Sequence, residues 1–158
     1  MTLKRILTGL TDIVFPPQCL TCEEILDHKN NTPLCPACFS EIHFIQSPLC
    51  PCCGIPFAGA GSDNHLCGEC ILSNPPFSVA RAVGRYETKL LEAIHGFKYK
   101  KKIYIGEVLG KIMAGFAYPA FDVADYSVII PVPLHPKKLR ERGFNQSVIL
   151  AKEISKSF

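Results

Sequence analysis

Cys19-Leu-Thr-Cys22, Cys35-Pro-Ala-Cys38, Cys50-Pro-Cys-Cys53 and Cys67-Gly-Glu-Cys70 are four C-x-x-C pairs, and they use eight of the nine cysteines in the chain. Twelve residues separate Cys22 from Cys35, and thirteen separate Cys53 from Cys67. Four thiolates satisfy a tetrahedral Zn²⁺, and a two-residue spacer lets both sulfurs of a pair face one ion. One C-x-x-C pair also suits redox chemistry, but four at matched intervals predict two Cys₄ zinc sites. The predicted ligands are Cys19, Cys22, Cys35, Cys38, Cys50, Cys53, Cys67 and Cys70.

The competing readings are weaker. A disulfide framework needs an oxidising compartment. Residues 3–14 place Leu3, Ile6, Leu7, Leu10, Ile13 and Val14 like one face of a helix. Pro16-Pro17 follows, with no small-residue cleavage site of a secretory signal. No stretch reaches the ~18 apolar residues of a membrane span. A thioredoxin-like pair would be single and set in a βαβ unit. Cys52 is left over, and either it or Cys53 could close the third pair; the spacing and the turn-forming Gly54 favour Cys53. Two sequential ribbons are the simpler pairing, with an interleaved cross-brace as the alternative.

At 158 residues the chain is one or two small domains. A ribbon pair of this size buries little core, so zinc would supply most of its folding free energy. The net charge of +3 hides an asymmetry. Residues 1–73 hold three Lys/Arg against seven Asp/Glu, whereas residues 74–158 hold fourteen against seven. The halves are therefore −4 and +7, and an anionic partner belongs to the second.

The pattern divides at Ser73-Asn-Pro-Pro76. Residues 1–17 read as an amphipathic helix and lead-in packed on the ribbons, and 18–73 as a double zinc ribbon, mostly irregular with some β. Beyond the turn, Val79–Tyr86 alternates like a strand with one solvated face. Thr88 is a candidate N-cap for a helix carrying Leu90, Leu91 and Ile94. Residues 104–117 read as a second helix, with Ile105, Val108, Leu109, Ile112 and Met113 on one face. Tyr126–Pro133 is a near-continuous apolar run, the pattern of a buried parallel strand. Leu134–Gly143 reads as the loop at its end. A last helix follows from Phe144, capped by Asn145, with Val148, Ile149 and Ile154 inward.

Two basic clusters are the candidate binding residues. Lys98, Lys100, Lys101 and Lys102 lie among Phe97, Tyr99 and Tyr104, the candidate stacking rings. Lys137, Lys138, Arg140 and Arg142 follow the apolar run, and Gly143-Phe144-Asn145-Gln146 leads into a helix. A cationic loop entering a helix N-terminus, with Asn145 and Gln146 as amides, suits a phosphate, pyrophosphate or nucleic-acid backbone. Solvated faces are the plainer account of both runs. His95 and His135 could act as acid–base groups or spare ligands, with surface or turn positions as the plainer account. No nucleotide P-loop and no Ser/His/Asp arrangement is present.

The four C-x-x-C pairs, Cys53-Gly-Ile-Pro56, Phe97-Lys-Tyr99 and above all Pro131-Val-Pro-Leu-His-Pro-Lys-Lys-Leu-Arg-Glu-Arg-Gly-Phe-Asn-Gln146 resemble the ComF family. The resemblance covers essentially the whole chain. It implies an N-terminal double zinc ribbon and a C-terminal α/β domain of type I phosphoribosyltransferase-like fold over 77–158. It also implies a bacterial, cytoplasmic protein of natural competence that handles incoming single-stranded DNA, with a competence helicase or DNA-processing proteins as partners. Some family members are tied to gluconate utilisation. Leu134–Gln146 would lie on the pyrophosphate side of a PRPP pocket. The chain departs from the pattern at one point. The PRPP-binding loop, a strand followed by two acids and Thr-Thr-Gly, belongs beyond Phe158, and Asp122-Val-Ala-Asp125 lacks the Thr and Gly to replace it. The expectation is therefore an incomplete, non-catalytic pocket with no catalytic residue, taking Mg²⁺ and PRPP only if the domain is completed elsewhere. The alternatives are a PRPP-dependent phosphoribosyltransferase of which this is a fragment, or a truncated product without activity of its own.

Overall fold

In the computed structural model, residues 16–26, 33–59 and 63–158 are described. The helix expected over residues 3–14 falls outside them. Each cysteine set begins in the same tight turn. Cys19 N donates to Glu24 O at 2.8 Å and Glu23 N to Cys19 O at 3.1 Å, with Gln18 bridged to Ile25. Thirty-one positions on, Cys50 N donates to Ile55 O and Gly54 N to Cys50 O, both at 2.9 Å, with Leu49 bridged to Pro56. Glu23 (φ 61°) and Gly54 (φ 75°) hold the same left-handed position, one residue past the second cysteine. The second pair of each set caps a short helix. Cys35 precedes α1 (Pro36–Ser40) and Cys67 precedes α2 (Gly68–Ser73). The ribbons are thus a two-fold repeat at residue resolution.

Four longer helical elements follow: α3 (Thr88–Tyr99), α4 (Ile103–Gly115), α5 (Pro136–Arg142) and α6 (Gln146–Ser155). Glu87, not Thr88, is the N-cap of α3; Thr88 has φ 46° and its hydroxyl donates to Glu41 O at 2.7 Å. One apolar core joins the first ribbon to these helices. Cys19, Leu20, Leu34, Cys35, Cys38 and Ile42 are buried in the same cluster as Ala93, Phe97, Ile105 and Leu109. Ile149 and Leu150 of α6 pack on its edge. α4 crosses its neighbours at small residues. A Cβ on Gly106 would meet the Phe97 ring at 2.3 Å, and one on Gly110 would meet Glu153 Cβ at 2.5 Å.

Neither expected strand joins a sheet, and among the described residues there is none; the structure is helical and irregular. The Val79–Tyr86 strand is reduced to one antiparallel contact, Phe44 opposite Gly84, with Ile45 N to Val83 O and Arg85 N to His43 O, both 2.9 Å. Its first half is drawn off by the second ribbon: Ala80 N donates to Cys52 O at 2.7 Å, and Arg81 bridges Pro51 O and Pro119 O, both at 3.0 Å. The run Tyr126–Pro133 is not a buried strand either. Val128, Ile130 and Val132 are 69, 82 and 71% exposed. A buried parallel strand needs a paired strand beside it and layers on both faces, and among the described residues no strand pairs with it. The expectation of a sheet is corrected accordingly for the described residues. Leu134–Gly143 is not a loop throughout: Pro136 at the first helical turn and Gly143 at φ 84° bracket α5. Among the described residues, no helix is long and apolar enough to cross a membrane.

Candidate metal centres and a basic cleft

In each cysteine set the four sulfurs lie within 4.8 Å of one another: Cys19, Cys22, Cys35 and Cys38 in one, Cys50, Cys53, Cys67 and Cys70 in the other. The sets are sequential, and Cys53 rather than Cys52 completes the second. Cys22 Sγ lies 3.7 Å from Cys35 Sγ, and Cys53 Sγ lies 3.6 Å from Cys67 Sγ. These are not disulfides, whose sulfurs sit at about 2.05 Å. Sulfurs arranged tetrahedrally at about 2.3 Å from one ion are about 3.8 Å apart, so the spacing fits zinc.

The backbone supports the same reading. Cys35 N points at Cys19 Sγ (3.3 Å), and Cys67 N points at Cys50 Sγ (3.5 Å), the equivalent bond in the repeat. Burial pushes the Cys19 thiol up, but bonds from Thr21 and the amides of Cys35, Thr21 and Cys22 outweigh it and hold its pKa at about 6. Burial also pushes Cys50 up, and the amides of Cys53, Cys67 and Cys52 outweigh it in the same way, lowering its pKa to about 6. Burial and its sister thiols push Cys38 up to about 12, and the same causes raise Cys70. Crowded thiols resist ionising together, and a divalent cation among them removes that resistance. Each cluster is therefore a donor set for one zinc ion, with all four positions filled by sulfur. Such closed sites hold structure rather than react. The two differ in setting: Cys19, Cys35 and Cys38 are buried in the core, whereas Cys53, Cys67 and Cys70 are only half-buried.

The two basic clusters meet in a cleft of about 170 Å³ lined by Lys98, Tyr99, Lys101, Lys138, Glu141 and Arg142. The end of α3 supplies one wall and one face of α5 the other. Lys138 pairs with Glu141 at 2.8 Å, and Arg142 lies over the Tyr99 ring at 5.4 Å. Arg142 also donates to Gln146 Oε1 at 2.8 Å, which fixes its direction. The remaining predicted residues are placed otherwise. Lys137 and Arg140 do not line the cleft. Lys100 is exposed at the end of α3, and Lys102 is tied to Glu23 of the first ribbon at 3.2 Å, a hydrogen bond that raises its pKa.

Asn145 caps α6 through Ser147 N and donates to Val132 O, so both ends of its amide are engaged. Gln146 is buried, with Nε2 unpartnered. Phe97 is 2% exposed and stacks on Phe144, so of the three candidate rings only Tyr99 and Tyr104 reach the surface. His135 Nδ1 caps α5 by accepting from Lys137 N at 3.2 Å. A second, larger hollow of about 350 Å³ is mostly apolar, lined by Phe44, Leu90, Ile94, Ile112 and Met113 among others, with Arg81, Lys98 and Gln146 as its polar lining.

Sequence reasoning missed Arg81 and Tyr86. Tyr86 OH lies 2.9 Å from His95 Nε2, and Lys98 Nζ lies over the Tyr86 ring at 5.8 Å. His95 and Tyr99, four apart on one helix, were legible as neighbours; Tyr86 joins them only through the turn at Glu87.

The double zinc ribbon domain family matches residues 10–71. A Shigella flexneri DNA utilization protein YhgH is 30% identical over 127 residues, covering 78% of this chain and 54% of that protein. Haemophilus influenzae competence protein F is 26% identical over 135 residues, covering 77% of this chain and 59% of the relative. Bacillus subtilis competence protein ComFC is 27% identical over 131 residues, covering 78% and 52%. The chain spans about half the length of the curated relatives it matches. No solved structure matches significantly. The paired Cys₄ clusters and the ribbon match over 10–71 identify a double zinc ribbon, and the relatives to which the chain is similar include competence protein F and ComFC.

Proposed function

We propose that the chain is a zinc-stabilised single-strand DNA-binding module that acts in DNA uptake or utilisation, and that the cleft between α3 and α5 grips the strand. The observation that carries the reading is the convergence of Lys98 and Lys101 with Lys138 and Arg142 around the exposed Tyr99. Cations that follow a backbone, beside a ring on which a base can stack, hold single strands without regard to sequence. The names of the relatives, competence and DNA utilization proteins, agree with that use. The zinc sites serve it indirectly. The first ribbon shares its core with α3 and α4, and Lys102 reaches back to Glu23.

A phosphoribosyl-transfer reading needs carboxylates free to hold ribose hydroxyls. The one carboxylate lining the cleft among the described residues, Glu141, is paired with Lys138. The test is fluorescence anisotropy on a short oligo-dT with two charge-reversed sets. Lys98→Glu, Lys101→Glu, Lys138→Glu and Arg142→Glu together should abolish binding. Lys137→Glu with Arg140→Glu, outside the cleft, should leave most of it. Equal losses in the two sets would overturn the placement, and no loss in either would overturn the function.

A further inference from the structure

The exposed face at the start and end of α3 carries a run of rings that the cleft alone does not explain. Tyr86 and His95 have ring centroids 6.1 Å apart, and His95 and Tyr99 are 5.5 Å apart. Tyr86 and Tyr99 are 55% and 67% exposed, and His95 is exposed between them. The rings are fixed rather than loose: Tyr86 OH and His95 Nε2 share a hydrogen bond of 2.9 Å. A cation stands at each end, Lys98 Nζ 5.8 Å from the Tyr86 centroid and Arg142 Cζ 5.4 Å from that of Tyr99. Among the described residues neither cation has a carboxylate partner. Solvent-facing aromatics flanked by uncompensated positive charge do not serve the core, which lies on the opposite side of α3 at Ala93 and Phe97.

We infer that Tyr86, His95 and Tyr99 form a base-stacking track for single-stranded DNA, leading from Tyr86 into the cleft that Lys98 and Arg142 both line. This rests on the single-strand reading above and adds which residues take the bases. The geometry selects the partner. Successive rings are tilted by 59° and 84°, so they cannot share one continuous stack. Their centroids are also farther apart than the about 3.4 Å between stacked bases along a duplex strand. Only a strand whose bases turn out singly can lay one against each ring. A duplex, with its bases paired inward, offers this face nothing but phosphate. The charge at both ends is complementary to the backbone on either side of the stacked bases.

The test uses the zinc-loaded chain and oligo-dT, compared with an abasic strand of the same length and charge and with a duplex. Tyr86→Leu and Tyr99→Leu keep apolar bulk at exposed positions and remove the rings. Each should weaken oligo-dT binding at least about fivefold and leave the salt slope unchanged. Tyr99→Phe should bind like the unaltered chain, and the abasic strand, which loses stacking on all three rings, should bind the unaltered chain more weakly than oligo-dT binds either leucine variant. The abasic comparison needs no variant, so a folding defect cannot mask the answer. If the abasic strand or the duplex binds as well as oligo-dT, or the leucine variants lose nothing while Lys98→Gln and Arg142→Gln still weaken binding, the track is wrong and the cleft stands. If the unaltered chain does not bind oligo-dT, the single-strand reading falls and the track with it.

Discussion

Glu23 and Gly54 occupy the same turn position in the two ribbons, yet their tolerance to exchange is opposite. At Gly54 a Cβ would meet the carbonyl oxygen of Ala80 at 2.6 Å, a backbone atom that cannot step aside. Gly54→Ala adds left-handed strain of about 1–2 kcal/mol to that clash, and should loosen the second cluster's hold on zinc. Glu23→Gly relieves similar strain but loses the exposed bond to Lys102, worth roughly 0.2–1 kcal/mol, so it should be near neutral. Thermal unfolding and zinc stoichiometry of the two variants check both. Gly106 is governed by close approach rather than by φ. Gly106→Ala drives a methyl into Phe97 and should cost about 1–3 kcal/mol of overpacking, read as a lowered denaturation midpoint. A repeat of cysteine spacings was visible in the sequence; these neighbours were not, because Ala80 and Phe97 reach the glycines only through the tertiary fold.

At the scale of elements, the two zinc clusters should part company. The first lies in the core with Phe97, Ile105 and Leu109, and opening it exposes that apolar cluster to water. The second hangs on the Ala80 amide and the Arg81 guanidinium, with three of its cysteines half-buried. Under a chelator the second should release zinc first, leaving α3 and α4 protected in hydrogen exchange. Loss of the first should then unfold the helices in the same step. Release in the opposite order would contradict this. The inward face of α4 was legible because periodicity reports burial directly, whereas the buried positions of α6 are Gln146 and Glu153 rather than Val148, Ile149 and Ile154. Ile105 at 0% exposure and Leu109 at 8% are where the pattern puts them. The strands were misread because a strand's pattern presumes its neighbours. Val79–Tyr86 alternates, but Arg81 is pulled toward Pro51 and Pro119. α5 was read as loop because its charges obscured the signals at Pro136 and Gly143.

For the whole molecule, the apolar run 126–133 has a measurable consequence. Ile130 is 82% exposed, so Ile130→Lys should change stability by no more than about 0.5 kcal/mol. Ile105→Ala, in the core, should cost about 2–5 kcal/mol. Paired denaturation curves separate a solvated run from the buried strand its composition suggests. The charge division into −4 and +7 halves was readable from residue counts, and so were the two basic clusters. Their meeting at Tyr99 was not, because Lys98 and Lys138 are far apart in the sequence and only the packing of α5 beside the end of α3 closes the gap.

The most direct test of the account is the salt dependence of oligo-dT binding by the zinc-loaded chain. The logarithm of affinity should fall linearly with the logarithm of salt concentration. Neutralising Lys98, Lys101, Lys138 and Arg142 to Gln should flatten the slope by about 0.7 for each phosphate that is no longer neutralised. An unchanged slope in that variant, with affinity intact, would contradict the claim that the α3–α5 cleft holds the strand.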